Sequence, residues 1–226
     1  GWRMPRNANQ SKQSNYSLNF NSASSQRVNI SSIVSTISSS STGSISFWVK
    51  PQSSSIGYYK ELISFSSTST QDQYLQVYKT STEKLNVNIR NQWNLETDSA
   101  VFSVDTWLHV IITHNGTEPE IYINGSKPAQ TFLSSTNKTY WWPNITNLNT
   151  ANISANFWLR STGLRQDFGT GIILFNRVSI FDYALSPSQV TTLWGGGTSV
   201  SNPMALPIPP KAYYPLGTSA WDGNFL

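Results

Sequence analysis

Two carboxyl groups two residues apart on a strand share a face, and such a pair could serve as the acid and base of a glycoside hydrolase. Among the 11 acidic residues the pair to weigh is Glu118-Pro-Glu120. It follows a turn at Asn115-Gly116 and contains a proline, which makes it the solvated start of a strand rather than a catalytic pair. Nucleophilic chemistry has no better anchor. His109 and His114 are five residues apart on one strand and so point to opposite faces. One is expected at the edge of the core, hydrogen-bonded to a neighbour, and the other on the surface. Gly-x-Ser-x-Gly, Walker and Gly-x-Gly-x-x-Gly patterns are absent from the sequence. Gly195-Gly-Gly197 follows a helical segment instead of opening one, so it does not cradle phosphate.

The aromatic residues carry the strongest ligand signal. Tyr140-Trp141-Trp142 stands in a polar loop where no strand alternation explains three consecutive rings. Rings flanked by Asn and Thr can form a platform for a sugar or a protein neighbour. The competing reading folds that loop over the sandwich with its tryptophans buried, because large rings are seldom left in water. Tyr58, Tyr59 and Trp93 also stand in turn-like contexts and complete the candidate ligand set. For a cation, calcium is the open question. Asp167, Asp222 and Asn224 are the candidate loop oxygens, though calcium wants six to eight ligands, and turn-forming Asx residues explain the same letters. With no cysteine, a thiolate zinc site is excluded.

These residues must be held by strands. Tyr16, Leu18 and Phe20 share one face, as do Ile45, Phe47 and Val49. Leu85, Val87 and Ile89 point one way while Asn86, Asn88 and Arg90 point the other. This alternation is that of antiparallel strands with one buried and one wet face. Asn124-Gly125, after Ile121-Tyr-Ile123, predicts a two-residue hairpin into the polar strand that follows. Ser186 is an N-cap, Pro187 suits the first helical position, Gln189 completes a capping box and Gly195 ends the one short helix. Trp107 and Trp194 are expected at the sandwich rim.

Composition agrees. Roughly a third of the 226 residues are Ser, Thr or Asn, which suit exposed strand faces and polar loops. Charged residues are only 12%, and the net charge of +4 is scattered, with Arg3, Arg6 and Lys12 the nearest approach to a patch. That pattern argues against a nucleic-acid partner. No run approaches the ~20 apolar residues of a membrane span.

Five landmarks resemble laminin-G-like domains of the concanavalin A-like superfamily. They are Asn15-Tyr-Ser-Leu-Asn-Phe20, Ser44-Ile-Ser-Phe-Trp-Val-Lys-Pro51, Thr106-Trp-Leu-His-Val-Ile-Ile-Thr113, Ile121-Tyr-Ile-Asn-Gly125, and the closing strand with Phe181-Asp-Tyr-Ala-Leu-Ser186 and its helix. The resemblance implies an all-β, antiparallel two-sheet jelly-roll sandwich with one short helix near the C-terminus. It also implies that an enzyme of this fold would carry Glu-x-Asp-x-x-Glu, which the chain lacks.

The expected organisation is an N-terminal arm (1–14), the sandwich (15–194), a Gly/Ser/Pro linker (195–210) and a C-terminal strand (211–226). In the family a strand like Ala212-Tyr-Tyr-Pro-Leu216 stands first and pairs near the final strand. Here it either fills that vacant edge or begins a further repeat. The function expected is a non-catalytic structural or adhesive module of a virion, associating with itself or with other virion proteins and able to take a glycan or host surface. The alternative is a secreted carbohydrate-binding module of a bacterial surface protein or polysaccharide-degrading enzyme.

Overall fold

The structure is a computed structural model that describes residues 17–52, 59–197 and 202–216. In chain order the strands are β1 Leu18–Asn21, β2 Val28–Asn29, β3 Gly43–Pro51, β4 Lys60–Ser66, β5 Tyr74–Lys79, β6 Leu85–Ile89, β7 Trp93–Thr97 and β8 Leu108–His114. There follow β9 Pro119–Ile123, β10 Gln130–Ser135, β11 Thr150–Ile153, β12 Asn156–Arg160, β13 Gly163–Asp167, β14 Ile172–Phe181 and β15 Ala212–Tyr214. One turn of helix, α1, spans Val34–Ile37, and α2 spans Pro187–Trp194.

Two antiparallel sheets face each other. The first has the order β1-β14-β3-β8-β9, with β15 also on β14. The second runs β10-β7-β6-β5-β4-β11-β2, and β12 and β13 form a separate hairpin. The predicted alternation places Ile45, Phe47 and Val49 of β3 against Leu75 and Val77 of β5 and Val87 of β6 in one core. On β14 the inward set changes parity, from Ile173 and Phe175 to Val178 and Ile180. A bulge between Asn176 and Ser179, with Arg177 at φ 52°, makes that shift and keeps both halves of the strand apolar side in.

The outer face of the first sheet is covered. Helix α2 begins with the expected capping box, Ser186 accepting from Gln189 N–H, and ends at Gly195 in the left-handed region. Its Val190 and Leu193 pack with Ile111, Tyr122, Phe181, Leu185 and Leu206. The buried Ser44 hydroxyl donates to Tyr183 C=O and accepts from Leu185 N–H, fixing the turn between β14 and α2.

Three expectations change. The 195–210 segment is not simply an extended linker: Pro203–Ala205 forms a 3-10 turn and Leu206 is buried on the outer face. The Asn124-Gly125 turn closes between Ile123 and Ser126, but the next strand, β10, belongs to the other sheet. The edge of β14 is not wholly vacant, because β1 pairs with residues 172–175 and β15 takes only 178–180. The expected arm, 1–14, lies outside the described residues.

Candidate functional site

The outer face of the second sheet is built from the polar half of the alternation. On β5 the inward Leu75 and Val77 leave Tyr74, Gln76 and Tyr78 facing out. The ladder puts Gln76 opposite Ser64 on one side and Asn88 on the other, and Tyr78 opposite Glu61 and Asn86. Over β4 the face is closed. Ser64 donates to Ala155 C=O and Ser66 to Asn156 Oδ1, so the chain entering the β12–β13 hairpin lies on those serines. The hairpin forms one wall, and β5 to β7 remain as an open floor.

A cavity of about 260 Å3 lies in this corner, lined by Tyr59, Asp72, Tyr74, Gln76, Tyr78, Arg90, Trp158 and Arg160. Trp158 packs on Tyr74 with ring centroids 5.3 Å apart, and both present mainly an edge, being 8% and 7% exposed. Tyr78 and Tyr59 are half-buried and meet edge to face at 5.8 Å. Arg90 and Arg160 are exposed, and neither forms an ion pair with a described carboxylate. The site offers aromatic surface, an amide and two guanidinium groups beside one carboxylate.

Opposite Tyr78 on the same face, beside the open floor, lies Glu61, fully buried. Gln76 Nε2 donates to its Oε1, while Oε2 has no partner among the described residues. Burial, then the nearby Asp167 carboxylate, push the Glu61 carboxyl well above its usual range, against the pull of Lys60. Lys60, its Nζ 3.0 Å from Phe168 C=O, is brought down to about 8 by burial. Since the native state holds a Glu61 proton that the unfolded chain loses above ~4.3, stability falls as pH rises from there to the folded pKa. Glu61→Gln should therefore melt above the wild type at pH 8 and close to it at pH 4. A gap in melting temperature that stays constant across that range would contradict this reading.

Of the expected ligand residues, Tyr59 lines this corner and Trp93 borders the adjoining hollow; Tyr58 lies outside the described residues. Trp141 and Trp142 are 0% exposed and Trp93 1%, so the exposed platform is corrected to a core plug. The Trp141 ring stacks on His114 at 4.9 Å, and Trp142 packs on Phe65 at 5.5 Å. Trp93 Nε1 donates to Tyr140 C=O, and Tyr140 itself is half-buried. Transfer of these rings from water into the core outweighs leaving them on a polar loop. Gly43 makes room, since a Cβ there would collide with the Trp142 ring.

The other candidates that are described are held by protein partners. Asp167 accepts from the Tyr59 hydroxyl and from Gly169 N–H, with Arg165 at 3.8 Å, so a cation would have to displace those partners. Asp222 and Asn224 lie outside the described residues. His114 is buried, not on the surface as expected of one histidine, with Nε2 2.9 Å from Lys138 C=O. Glu118 pairs with Lys138, and Glu120 with Lys127 and the Tyr122 hydroxyl, at the edge of the opposite sheet.

Residues 21–191 match the family model of the concanavalin A-like lectin/glucanases superfamily. The chain belongs to this superfamily. Among solved structures the fold is shared with CBM40 of the Ruminococcus gnavus IT-sialidase bound to α2,3 sialyllactose, at 14% identity and TM-score 0.56, covering 75% of this chain and 92% of that one. The same CBM40 bound to α2,6 sialyllactose gives TM-score 0.58 at 14% identity, covering 80% and 97%. The K499G mutant of NanB sialidase from Streptococcus pneumoniae gives TM-score 0.61 at 16% identity, covering 83% of this chain and only 28% of that one. No curated protein matches the chain by sequence. At these identities the superfamily likeness is one of fold, and the cleft residues must speak for the ligand.

Proposed function

We propose that this domain is a non-catalytic carbohydrate-binding module that takes an acidic glycan in the Tyr59–Tyr78–Trp158 corner of the second sheet. The observation that carries the reading is an open aromatic cavity with two guanidinium groups and no described ion pair to consume them. Sugar rings lie against aromatic surface through their C–H faces, and a guanidinium grips a carboxylate in a fork. The shared fold of sialyllactose-bound modules supports an acidic sugar. It also supports the extracellular setting over the virion one. Binding without turnover fits the carboxyl groups present. Asp72 lines the cavity, but Glu61 beside it has no exposure, so among the described residues no pair of carboxyls faces a sugar from two sides.

The test is a glycan array followed by calorimetry. Tyr78→Ala should lower affinity by about three- to tenfold, the worth of one ring contact of about 0.5–1.5 kcal/mol. Arg90→Ala with Arg160→Ala should abolish the preference for acidic over neutral glycans. The two arginines are exposed and their replacement should leave the melting temperature nearly unchanged, while Tyr78→Ala, at a half-buried ring packed on Tyr59, should lower it modestly without unfolding the domain. Acidic-glycan binding that survives all three substitutions would sink the proposal.

A further inference from the structure

The aromatic corner is not the end of the cleft. A second cavity of about 320 Å3 continues from it, and the two share Tyr74, Gln76, Tyr78 and Arg90. Away from the shared residues its lining is mostly amide and hydroxyl: Asn88, Asn91, Asn94 and Ser134, with Ile89 and Trp93, and no carboxylate among the described residues lines it. Four of the polar residues are in register: Gln76 is opposite Asn88, Asn88 opposite Asn94, and Asn94 opposite Ser134. Neighbouring strands lie about 4.8 Å apart, so the four side chains make a straight polar lane of about 14 Å across β5, β6, β7 and β10.

The lane is chemically suited to hydroxyl groups. An amide offers both a donor and an acceptor, as does each sugar hydroxyl. Two of its amides are only loosely held by the protein. The Asn94 side-chain oxygen is buried with no partner among the described residues, so rotation of its amide toward a ligand forfeits no bond of that oxygen, and Asn88 Nδ2 stands 3.5 Å from Asn86 Oδ1, a weak bond. By contrast Gln76 is tethered to Glu61 on the neighbouring strand, and Asn86 donates to Glu96 at 3.0 Å. Asn88 and Asn94 can thus turn to a ligand, while the tethered Gln76 and Asn86 fix the floor beside them.

The geometry points to a second subsite: the lane Gln76–Asn88–Asn94–Ser134 binds the neutral sugar units of an acidic oligosaccharide whose charged unit sits at Arg90 and Arg160. This inference rests on the function proposed above, and it adds a direction and a chain length. The glycan crosses the strands, with its charged unit toward the β12–β13 hairpin and its neutral units toward β10. A single acidic sugar fills only the first cavity.

Side-chain NMR of the isotopically labelled protein separates the two ideas, with α2,3-sialyllactose and free sialic acid as probes. Sialyllactose should shift the Arg90 Nε signal and the side-chain amides of Asn88 and Asn94. Free sialic acid should shift Arg90 alone. The double variant Asn88→Ala, Asn94→Ala should lose about tenfold in affinity for sialyllactose, the scale of two ordinary hydrogen bonds, and nothing for the free sugar. If sialyllactose shifts Arg90 but neither amide, or the double variant binds it as tightly as the wild type, the lane is overturned and the corner site stands. If it shifts no signal in the cleft, the acidic-glycan reading and the lane fall together.

Discussion

Ending the chain after Pro210 is expected to cost on the order of 3 kcal/mol of stability and to make the domain prone to association. Three features of the deleted segment set that size. Leu216 is 8% exposed and belongs to the main core, and burying one leucine is worth about 1.5–3 kcal/mol. Residues 212–214 pair with 178–180 of β14, the Lys211 amide donates to Ile180 C=O at 2.8 Å, and Pro215 C=O accepts from Arg177 N–H. Loss of these bonds uncovers the C-terminal half of β14, a row of unpaired backbone groups beside apolar side chains, which is the usual template for edge-to-edge pairing. The Lys211–Asp182 ion pair is half exposed and adds little. Urea unfolding and sedimentation of the shortened chain make the check. An unchanged midpoint and a monomer would mean that the strand does nothing for this sandwich, and that residues 211–226 belong to a following repeat.

That strand also shows what the sequence could and could not reveal. Ala212-Tyr-Tyr-Pro-Leu216 resembles the family's first strand, and the pairing with β14 follows from that resemblance together with the need to cover an open edge. The partial cover by β1 was not legible, since it depends on the bulge at Arg177, where one inserted residue divides β14 into two pairing zones. The helix α2 was legible to its caps, because capping is local chemistry within four residues. The candidate site was largely missed. Three consecutive rings at Tyr140–Trp142 drew attention, yet consecutive rings in a loop have no periodicity to say which way they face. Apart from Tyr59, the rings that line the corner, Tyr74, Tyr78 and Trp158, are spread over two strands distant in sequence. One signal was available. Tyr74, Gln76 and Tyr78 alternate with Leu75 and Val77, and Asn86, Asn88 and Arg90 alternate with apolar residues in the same way. Two adjacent strands with amides, rings and a guanidinium on one wet face mark a binding surface more surely than a cluster in a loop.

His109 should make the domain lose stability in mild acid, by an amount comparable to a sizeable part of its total. The residue lies on the outer face of the first sheet, under the cover of α2, and is 2% exposed. Its ring stacks on Trp48 at 4.8 Å and its Nε2 is 3.0 Å from Ser46 Oγ, while Nδ1 has no partner among the described residues. Burial first, and the Arg177 guanidinium from β14 second, push the imidazole down from 6.5 to about 3. Below its unfolded pKa of ~6.5 the unfolded chain takes up a proton that the native state refuses, so stability falls as pH drops from there to about 3. At ~1.4 kcal/mol per pH unit the full loss is on the order of 5 kcal/mol, of which about 4 is realised by pH 3, against a typical domain total of about 5–15 kcal/mol. His109→Gln removes the titration and keeps a side chain able to bond Ser46. Measured by urea unfolding between pH 7 and pH 3, the stability difference between wild type and variant should swing by about 4 kcal/mol in favour of the variant as the pH falls. Contributions from Glu61 and the other carboxyls are common to both proteins and cancel. Parallel curves would show that the native state accommodates a charged imidazole. Because the cleft is on the opposite sheet, glycan affinity should be the same in both proteins at any pH where each is folded, which separates loss of the scaffold from loss of the site.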